Sequence, residues 1–186
     1  MDVLSSFTNL HYVSLGEAML RLAAACILGL AIGLERQIKN KPLDFRPFMM
    51  VCLGAAMFTI IGMELLYTLK NTYNNDNNTL SIDPSRIMQG IIGGIGFLGA
   101  GAIFRDSEHV VGATTGAGIW MVGGIGMACA LGLFSFAIAA TFLALFIYTF
   151  MGIALQYFPN SNEDETYIFS NGYKEKHKKD NHEGTE

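Results

Sequence analysis

The feature that most constrains this sequence is a stretch of nearly fifty residues without a charged side chain, from Val110 to Phe158. A helix that crosses the roughly 30 Å hydrocarbon core of a bilayer needs ~20 apolar residues, so this stretch is too long for one crossing and long enough for two. Gly132 and the three residues after it are the best place for a turn. Hydrophobic residues make up 51% of the chain and charged residues 15%, which excludes an ordinary soluble domain.

The same length criterion divides the rest of the apolar sequence into three more spans, which predicts an all-α membrane bundle of five transmembrane helices. The charged pair Glu35 and Arg36 is expected to end the first span, and Pro47 suits the first turn of the second. The membrane domain is predicted over residues 17–158, with spans at about 18–34, 47–69, 87–104, 110–131 and 134–157.

The positions of Lys and Arg predict how the bundle is oriented, because cytoplasmic loops retain these residues. One side of the predicted bundle collects nine of them, and the other side has only Lys70 and Arg86. We therefore expect residues 1–16 to face outward and the carboxyl terminus to lie in the cytoplasm. The ends of the spans on the side of residues 1–16 are called the outer end below, and the opposite ends the inner end.

Residues 159–186 are polar and hold few large apolar groups. Such a segment buries too little apolar surface to offset the entropy lost on ordering, so we expect a disordered cytoplasmic tail. The alternative is that the cluster Tyr167–Phe169 docks on a partner or on the membrane surface.

Glycine is concentrated in the third and fourth spans, where 13 of the 21 glycines lie between Gly90 and Gly132. Small residues let membrane helices approach closely, so this pattern predicts tight packing within the bundle or at a dimer seam. On the fourth span, small residues at four-residue spacing flank Trp120, which predicts a groove filled by the indole. The alternative interpretation is that the glycines expose backbone carbonyls or form a hinge. The positions assigned to helix packing or to a partner interface are Gly90, Gly94, Gly96, Gly99, Gly101, Gly112, Gly116, Trp120, Gly124 and Gly126.

Five charged side chains lie near the outer end: Glu17, Arg21, Glu64, Asp83 and Arg86. In the structural interpretation Asp83 caps the third span, the arginines reach the interface and Glu64 is solvated. In the functional interpretation Glu17, Glu64 and Asp83 line an outward vestibule that holds a hard cation such as Mg²⁺, which prefers oxygen ligands.

At the inner end the polar candidates are Glu35, Arg36 and Arg46, with Thr114 and Thr115 expected to satisfy backbone groups at a helix start. No nucleophile has a paired base in the sequence, and no metalloprotease motif or phosphate-binding loop is present. We therefore expect neither enzymatic activity nor a resident cofactor, and Mg²⁺ is a candidate ion. No basic surface indicates nucleic acid as a partner.

Several strings together resemble the MgtC/SapB family of bacterial inner-membrane proteins, over roughly residues 18–157. The strings are Gly33–Arg36, Met50–Ala55, Asp83–Arg86, Gly94–Ile103, Gly112–Thr115, Ile119–Trp120 and Ile125–Ala128. The family commonly has a Gly-Leu-Arg-Thr-His-like stretch where this chain has Asp44–Phe48, so only Arg46 carries over. Longer members end in an ACT-like domain, which residues 159–186 are not expected to supply.

The resemblance implies a multi-pass protein of the bacterial inner membrane, linked to growth in low magnesium, to stress and, in pathogens, to virulence. It also implies a non-enzymatic accessory or regulatory role through contact with another membrane complex, such as the ATP synthase or a magnesium transporter, or with a second copy of the chain. The alternative is a small oligomeric transporter or cation-binding protein for Mg²⁺ or another ion. A purely structural role is a third hypothesis.

Overall fold

The computed structural model describes residues 10–39, 44–73, 83–106 and 109–157. The elements in chain order are helices α1 (Leu15–Ile38), α2 (Phe45–Tyr73) and α3 (Ser85–Gly101), strands β1 (Phe104–Asp106) and β2 (His109–Val111), and helices α4 (Ala113–Ala130) and α5 (Phe134–Tyr157). The expected helical membrane bundle is confirmed. The predictions for the tail at 159–186 and for the cluster Tyr167–Phe169 lie outside the described residues.

Three helices among the described residues are long and apolar enough to cross a membrane: Leu15–Ile38, Phe45–Asn71 and Ala113–Ala130. In α5 the stretch Phe134–Phe150 is apolar but shorter. Helix α3 has 17 residues, which corresponds to a length of about 26 Å. Five crossings remain a prediction, while α1, α2 and α4 meet the criterion directly.

The connection between α3 and α4 differs from the prediction, which placed spans at 87–104 and 110–131. Helix α3 ends at Gly101, and an antiparallel ribbon follows in which Phe104 pairs with Val111 and Arg105 with Val110. The two β-branched valines favour a strand. Gly112 ends the ribbon with φ +88°, and a Cβ there would overlap the carbonyl oxygen of Ala102, so this turn requires glycine.

Helix α1 also extends beyond its expected end: it was expected to end at Glu35 and Arg36, and it continues to Ile38. Helix α2 begins at Phe45, which leaves Pro47 in the first turn as expected. The turn between α4 and α5 includes Gly132, whose φ is +76°.

The core forms where α1, α2 and α4 pack against one another, and α3 packs on α4 and α2. Cys52 of α2 lies at the closest approach of these helices. A Cβ on Gly29 of α1 would lie 2.8 Å from the Cys52 Cβ, and one on Gly126 of α4 would overlap the Cys52 carbonyl oxygen. The backbones therefore come together where small residues meet. Cys52 and Cys129 are buried free thiols.

The chain divides into two compact units, Met1–Phe146 and Ile147–Glu186. The first unit contains α1 to α4, the ribbon and the beginning of α5, whose buried positions Ala137, Thr141 and Ala144 lie about one turn apart. The described part of the second unit is the end of α5, up to Tyr157.

Candidate functional site

Arg21 joins the beginning of α1 to the end of α4. Its guanidinium is buried, and Nη2 donates to Glu17 Oε1 at 2.5 Å while Nη1 donates to the carbonyl oxygen of Ala130 at 2.5 Å. The guanidinium also lies over the ring of Tyr12, 5.8 Å from its centroid. Ala130 is the last residue of α4, where carbonyl groups lack helical partners and the helix dipole favours a cation. Arg21 therefore donates a hydrogen bond to the Ala130 carbonyl, which lies too close to the end of α4 to have a partner within that helix.

Glu64 of α2 binds the segment that precedes α1. Its two carboxylate oxygens accept hydrogen bonds from the backbone N–H groups of His11 and Tyr12, each at 2.7 Å. The His11 ring stacks on Tyr67, with 6.3 Å between the ring centroids. The structural interpretation of the sequence expected Glu64 to be solvated. In the structure its carboxylate is instead bound by backbone donors.

Asp83 acts at the beginning of α3. Its carboxylate accepts hydrogen bonds from the Ser85 backbone N–H at 2.9 Å and from the Ser85 hydroxyl at 2.8 Å. Pro84 has helical dihedral angles, φ −59° and ψ −25°, so Asp83 occupies the capping role that the sequence predicted. The hydrogen bond from the Ser85 backbone is the main reason that the pKa of Asp83 is lowered from 3.8.

The three outer carboxylates do not come together as a cation vestibule. Glu17 pairs with Arg21, Glu64 binds backbone amides, and Asp83 binds Ser85. Within the part of the chain that the structure describes, no group of three His, Cys, Asp or Glu side chains could hold a metal ion. Four of the five outer charges are instead engaged by a neighbouring charge, by backbone groups or by Ser85.

Arg36 joins the other end of α1 to the beginning of α4. It is 3% exposed, and Nη2 donates to the hydroxyl groups of Thr114 at 3.3 Å and Thr115 at 3.4 Å. The sequence placed these threonines at a helix start, but their acceptance of hydrogen bonds from α1 was not foreseen. Beside Arg36, the Glu35 carboxylate lies 2.7 Å from Lys39 Nζ.

Arg46 is exposed at the beginning of α2, where it lies 3.7 Å from Asp44. The structure therefore brings Arg36, Thr114 and Thr115 together and does not place Arg46 in contact with them.

Arg21 and Arg36 form an arginine pair on α1, one binding each end of α4. Their separation of 15 residues corresponds to about 22 Å along a helix, and their side chains lie only ~60° apart around its axis. The spacing of the two arginines in the sequence indicates that they lie on similar sides of α1, but the sequence does not identify the groups that accept their hydrogen bonds. One acceptor is the backbone carbonyl of Ala130, and no residue pattern marks a carbonyl as a ligand.

The glycines assigned to packing fall into two groups. Gly99, Gly112, Gly116 and Gly126 are packed within the chain; a Cβ on Gly99, for example, would lie 3.0 Å from the Gly116 carbonyl oxygen. The second group has no atom within 4 Å of the position a Cβ would take, and it comprises Gly90, Gly94, Gly96, Gly101 and Gly124. Only the second group offers space for another molecule.

The expected stripe on α4 does not form one groove. Gly116 and Ala128 are buried, whereas Trp120 is 55% exposed and Gly124 is exposed. The reason is geometric, because a step of four residues turns a helix by about 40° beyond a full turn, so a long stripe winds around the axis. Beyond its first turn, the exposed residues of α4 are Ala117, Trp120 and Gly124, and we call this surface the Trp120 face.

A separate groove of about 720 Å³ lies between α2 and α3. Its walls are the faces Met50–Gly62 and Arg86–Leu98, and they include Gly90 and Gly94 but neither Trp120 nor Gly124. Among the described residues that line it, Arg86 is the one with a charge.

Residues 22–156 match the MgtC family. This stretch covers well over half of the chain and includes the arginine Arg36, the Trp120 face and the groove. The chain belongs to the MgtC family.

Three examples show which curated proteins this chain is similar to. Protein SapB of Bacillus subtilis is 35% identical over 73% of this chain and 56% of its own length. The putative magnesium transporter YhiD of Escherichia coli is 34% identical over 70% of this chain and 59% of its own. Protein MgtC of Salmonella typhimurium is 39% identical over 68% of this chain and 49% of its own. The matches thus span about half to three fifths of each relative. No solved structure matches the chain.

Proposed function

We propose that this chain is a non-enzymatic accessory or regulatory protein of the bacterial inner membrane that supports adaptation to low magnesium or to stress. Membership of the MgtC family supports the link to magnesium, because one relative carries the name of a putative magnesium transporter. In a pathogen the same role would extend to virulence. The protein would act through contact between its helices and a helix of another membrane complex.

The observation that carries this proposal is the Trp120 face. Helix α4 is held by α1 at both ends and by close backbone contacts with α2 and α3, yet Trp120 remains 55% exposed beside the open position Gly124. An indole is a common anchor at protein interfaces, and a neighbouring glycine allows a partner helix to approach closely. A rigid helix with one such surface is suited to recognition.

The proposal includes a multi-pass topology with the amino terminus outside. The candidate partners are the ATP synthase, a magnesium transporter and a second copy of this chain. Contact along the Trp120 face places the partner within the bilayer, so the partner should be an integral membrane subunit.

In-membrane photocrosslinking tests the partner contact. A photoreactive residue in place of Trp120 should capture a membrane protein that mass spectrometry can identify, including a second copy of the chain. With the photoreactive residue moved to Ala117, the Gly124→Leu variant should lower capture at least tenfold at equal protein levels, because the added side chain blocks close approach. Gly54→Leu is the matched control, since Gly54 is equally open but lies on α2. Unchanged capture by Gly124→Leu would refute the proposal.

The name of the E. coli relative favours a second candidate function, transport of Mg²⁺. In this case Glu64 and Asp83 would have to exchange their present hydrogen-bond partners for the ion. Folded protein in liposomes should then move Mg²⁺, and Glu64→Gln and Asp83→Asn should each reduce the flux. The absence of flux in folded, oriented protein would exclude transport.

A further inference from the structure

The groove between α2 and α3 has the form of a lipid site. Its lining residues recur at helical spacing on both walls, from Met50 to Gly62 and from Arg86 to Leu98. The helices run in opposite directions there. Gly62, in the second half of α2, meets Ile87 at the beginning of α3, whereas Cys52 of α2 and Ile95 of α3 both lie against the second half of α4. Arg86 therefore lies at the outer end of the groove, beside the half of α2 that carries Glu64.

The walls are apolar and open to the bilayer. Phe58 is 58% exposed and Leu98 is 53% exposed, while Ala55 and Ile95 are buried between them. The open position Gly94 leaves space above this floor. A volume of about 720 Å³ lies within the range of roughly 300–1,000 Å³ that is typical of small-ligand sites.

The length of the groove identifies the kind of occupant. Each wall extends over 12 residue steps, which corresponds to about 18 Å along a helix. One leaflet contributes about half of the ~30 Å hydrocarbon core, so the groove matches the acyl chain of one lipid. A partner helix that crosses the membrane would need a surface nearly twice as long.

The charge at the outer end identifies the headgroup. Arg86 is exposed in the first turn of α3, and a guanidinium binds phosphate oxygens through paired N–H donors. The carboxylate oxygens of Asp83 accept hydrogen bonds from Ser85, which are the main reason for its lowered pKa, and the charge of Arg86 contributes less. Asp83 and Arg86, which the structure describes, form no ion pair within 4 Å.

From this combination we infer that the groove binds one anionic phospholipid of the outer leaflet, with an acyl chain between α2 and α3 and the phosphate at Arg86. The apolar walls supply the affinity for the chain, and Arg86 supplies the preference for a net negative headgroup. This surface is separate from the Trp120 face, so lipid binding and partner capture are independent.

Native mass spectrometry of the whole chain in detergent tests the inference, with phosphatidylglycerol and phosphatidylcholine of identical acyl chains as probes. The wild type should bind one phosphatidylglycerol at least tenfold more tightly than phosphatidylcholine. Arg86→Gln should abolish this preference, and Arg86→Lys should restore part of it. Lys70→Gln is the control, because Lys70 is an exposed cation in the same half of α2 as Gly62 and does not line the groove. Equal effects of Arg86→Gln and Lys70→Gln would overturn the assignment of the headgroup.

The acyl-chain part has its own test. Gly94→Leu fills the groove without altering any charge and should weaken both lipids at least tenfold, whereas Gly124→Leu adds the same volume outside the groove and should weaken neither. A phosphatidylglycerol with a photoreactive group in its acyl chain should label Phe58 or Leu98. If Gly94→Leu binds the two lipids as tightly as the wild type does, or if the photoreactive lipid labels only other surfaces, the assignment of the groove as the acyl-chain site is wrong.

Discussion

Two glycines on α4, two positions apart, should respond in opposite directions to the same substitution. A Cβ on Gly126 would overlap the carbonyl oxygen of Cys52 and lie 3.1 Å from the Ala55 Cβ, whereas nothing lies within 4 Å at Gly124. Neither the Cys52 carbonyl nor its helix can move aside without separating α2 from α4. Gly126→Ala should therefore destabilise the bundle, and Gly124→Ala should not.

The expected magnitudes follow from two opposing effects. Replacing glycine by alanine inside a helix stabilises it by roughly 0.5–1 kcal/mol, because alanine loses less conformational entropy on folding. Overpacking a close contact costs about 1–3 kcal/mol, and a clash with backbone lies at the upper end. Gly124→Ala should gain about 1 kcal/mol and Gly126→Ala should lose about 2 kcal/mol, so the two variants should differ by about 3 kcal/mol.

Thermal unfolding in detergent, followed with a thiol-reactive fluorescent dye, measures this difference. Cys52 and Cys129 are buried free thiols that react only when the bundle opens, and a Cys26→Ala background removes the more exposed thiol. A difference of ~3 kcal/mol corresponds to about 6–12 °C in Tm for a chain of this size. If Gly126→Ala unfolds at or above the Tm of Gly124→Ala, the close contact between α2 and α4 does not exist as described.

Three further predictions concern the charged residues. Arg36→Ala should lower the free energy of unfolding by about 2 kcal/mol in the same dye assay, because hydrogen bonds from a charged donor are lost. The exposed control Arg46→Ala should change this free energy by less than about 0.5 kcal/mol. Equal losses in the two variants would contradict the contact between α1 and α4. Glu64→Gln should raise the hydrogen-exchange rate of the His11 and Tyr12 backbone amides about tenfold, because Glu64 accepts hydrogen bonds from both. Glu17→Gln is the control, and an unchanged exchange rate in Glu64→Gln would contradict the contact. Because folding lowers the pKa of Asp83, its stabilising contribution is present above the unfolded pKa of 3.8 and is lost as the pH falls through the lower folded value. Acid titration of Tm should show this loss in the wild type and not in Asp83→Asn, and identical titrations would contradict the capping role.

The helices were predictable from the sequence where an apolar run has clear ends. Helix α5 occupies the predicted residues 134–157, because Gly132 and Pro159, which polar residues follow, bound a continuous apolar segment. The ribbon between α3 and α4 was not predictable by the same criterion, since Phe104 and Val110 are as apolar as a transmembrane span. Hydrophobicity defines which residues avoid water, and it does not distinguish a helix from a short strand.

The candidate site was predictable only in part. The sequence singled out Arg21, Glu64 and Asp83 because charges near membrane spans are rare. It assigned them to one group only because all three lie near the outer end of their spans. Their actual partners are backbone groups, such as the Ala130 carbonyl and the Tyr12 amide, and those contacts depend on which helices are neighbours. The division of glycines into packed and open positions likewise requires the tertiary structure.

The arginine pair has a consequence for how the protein fits its bilayer. Helix α4 has 18 residues, which gives a length of about 27 Å, a few Å less than a typical hydrocarbon core of about 30 Å. A lone helix could change its tilt to suit a thinner or thicker bilayer, but α4 is anchored to α1 at both ends by Arg21 and Arg36. The hydrophobic thickness of this part of the bundle is therefore set by the protein. The two helices should respond to a thinner or thicker bilayer as one unit.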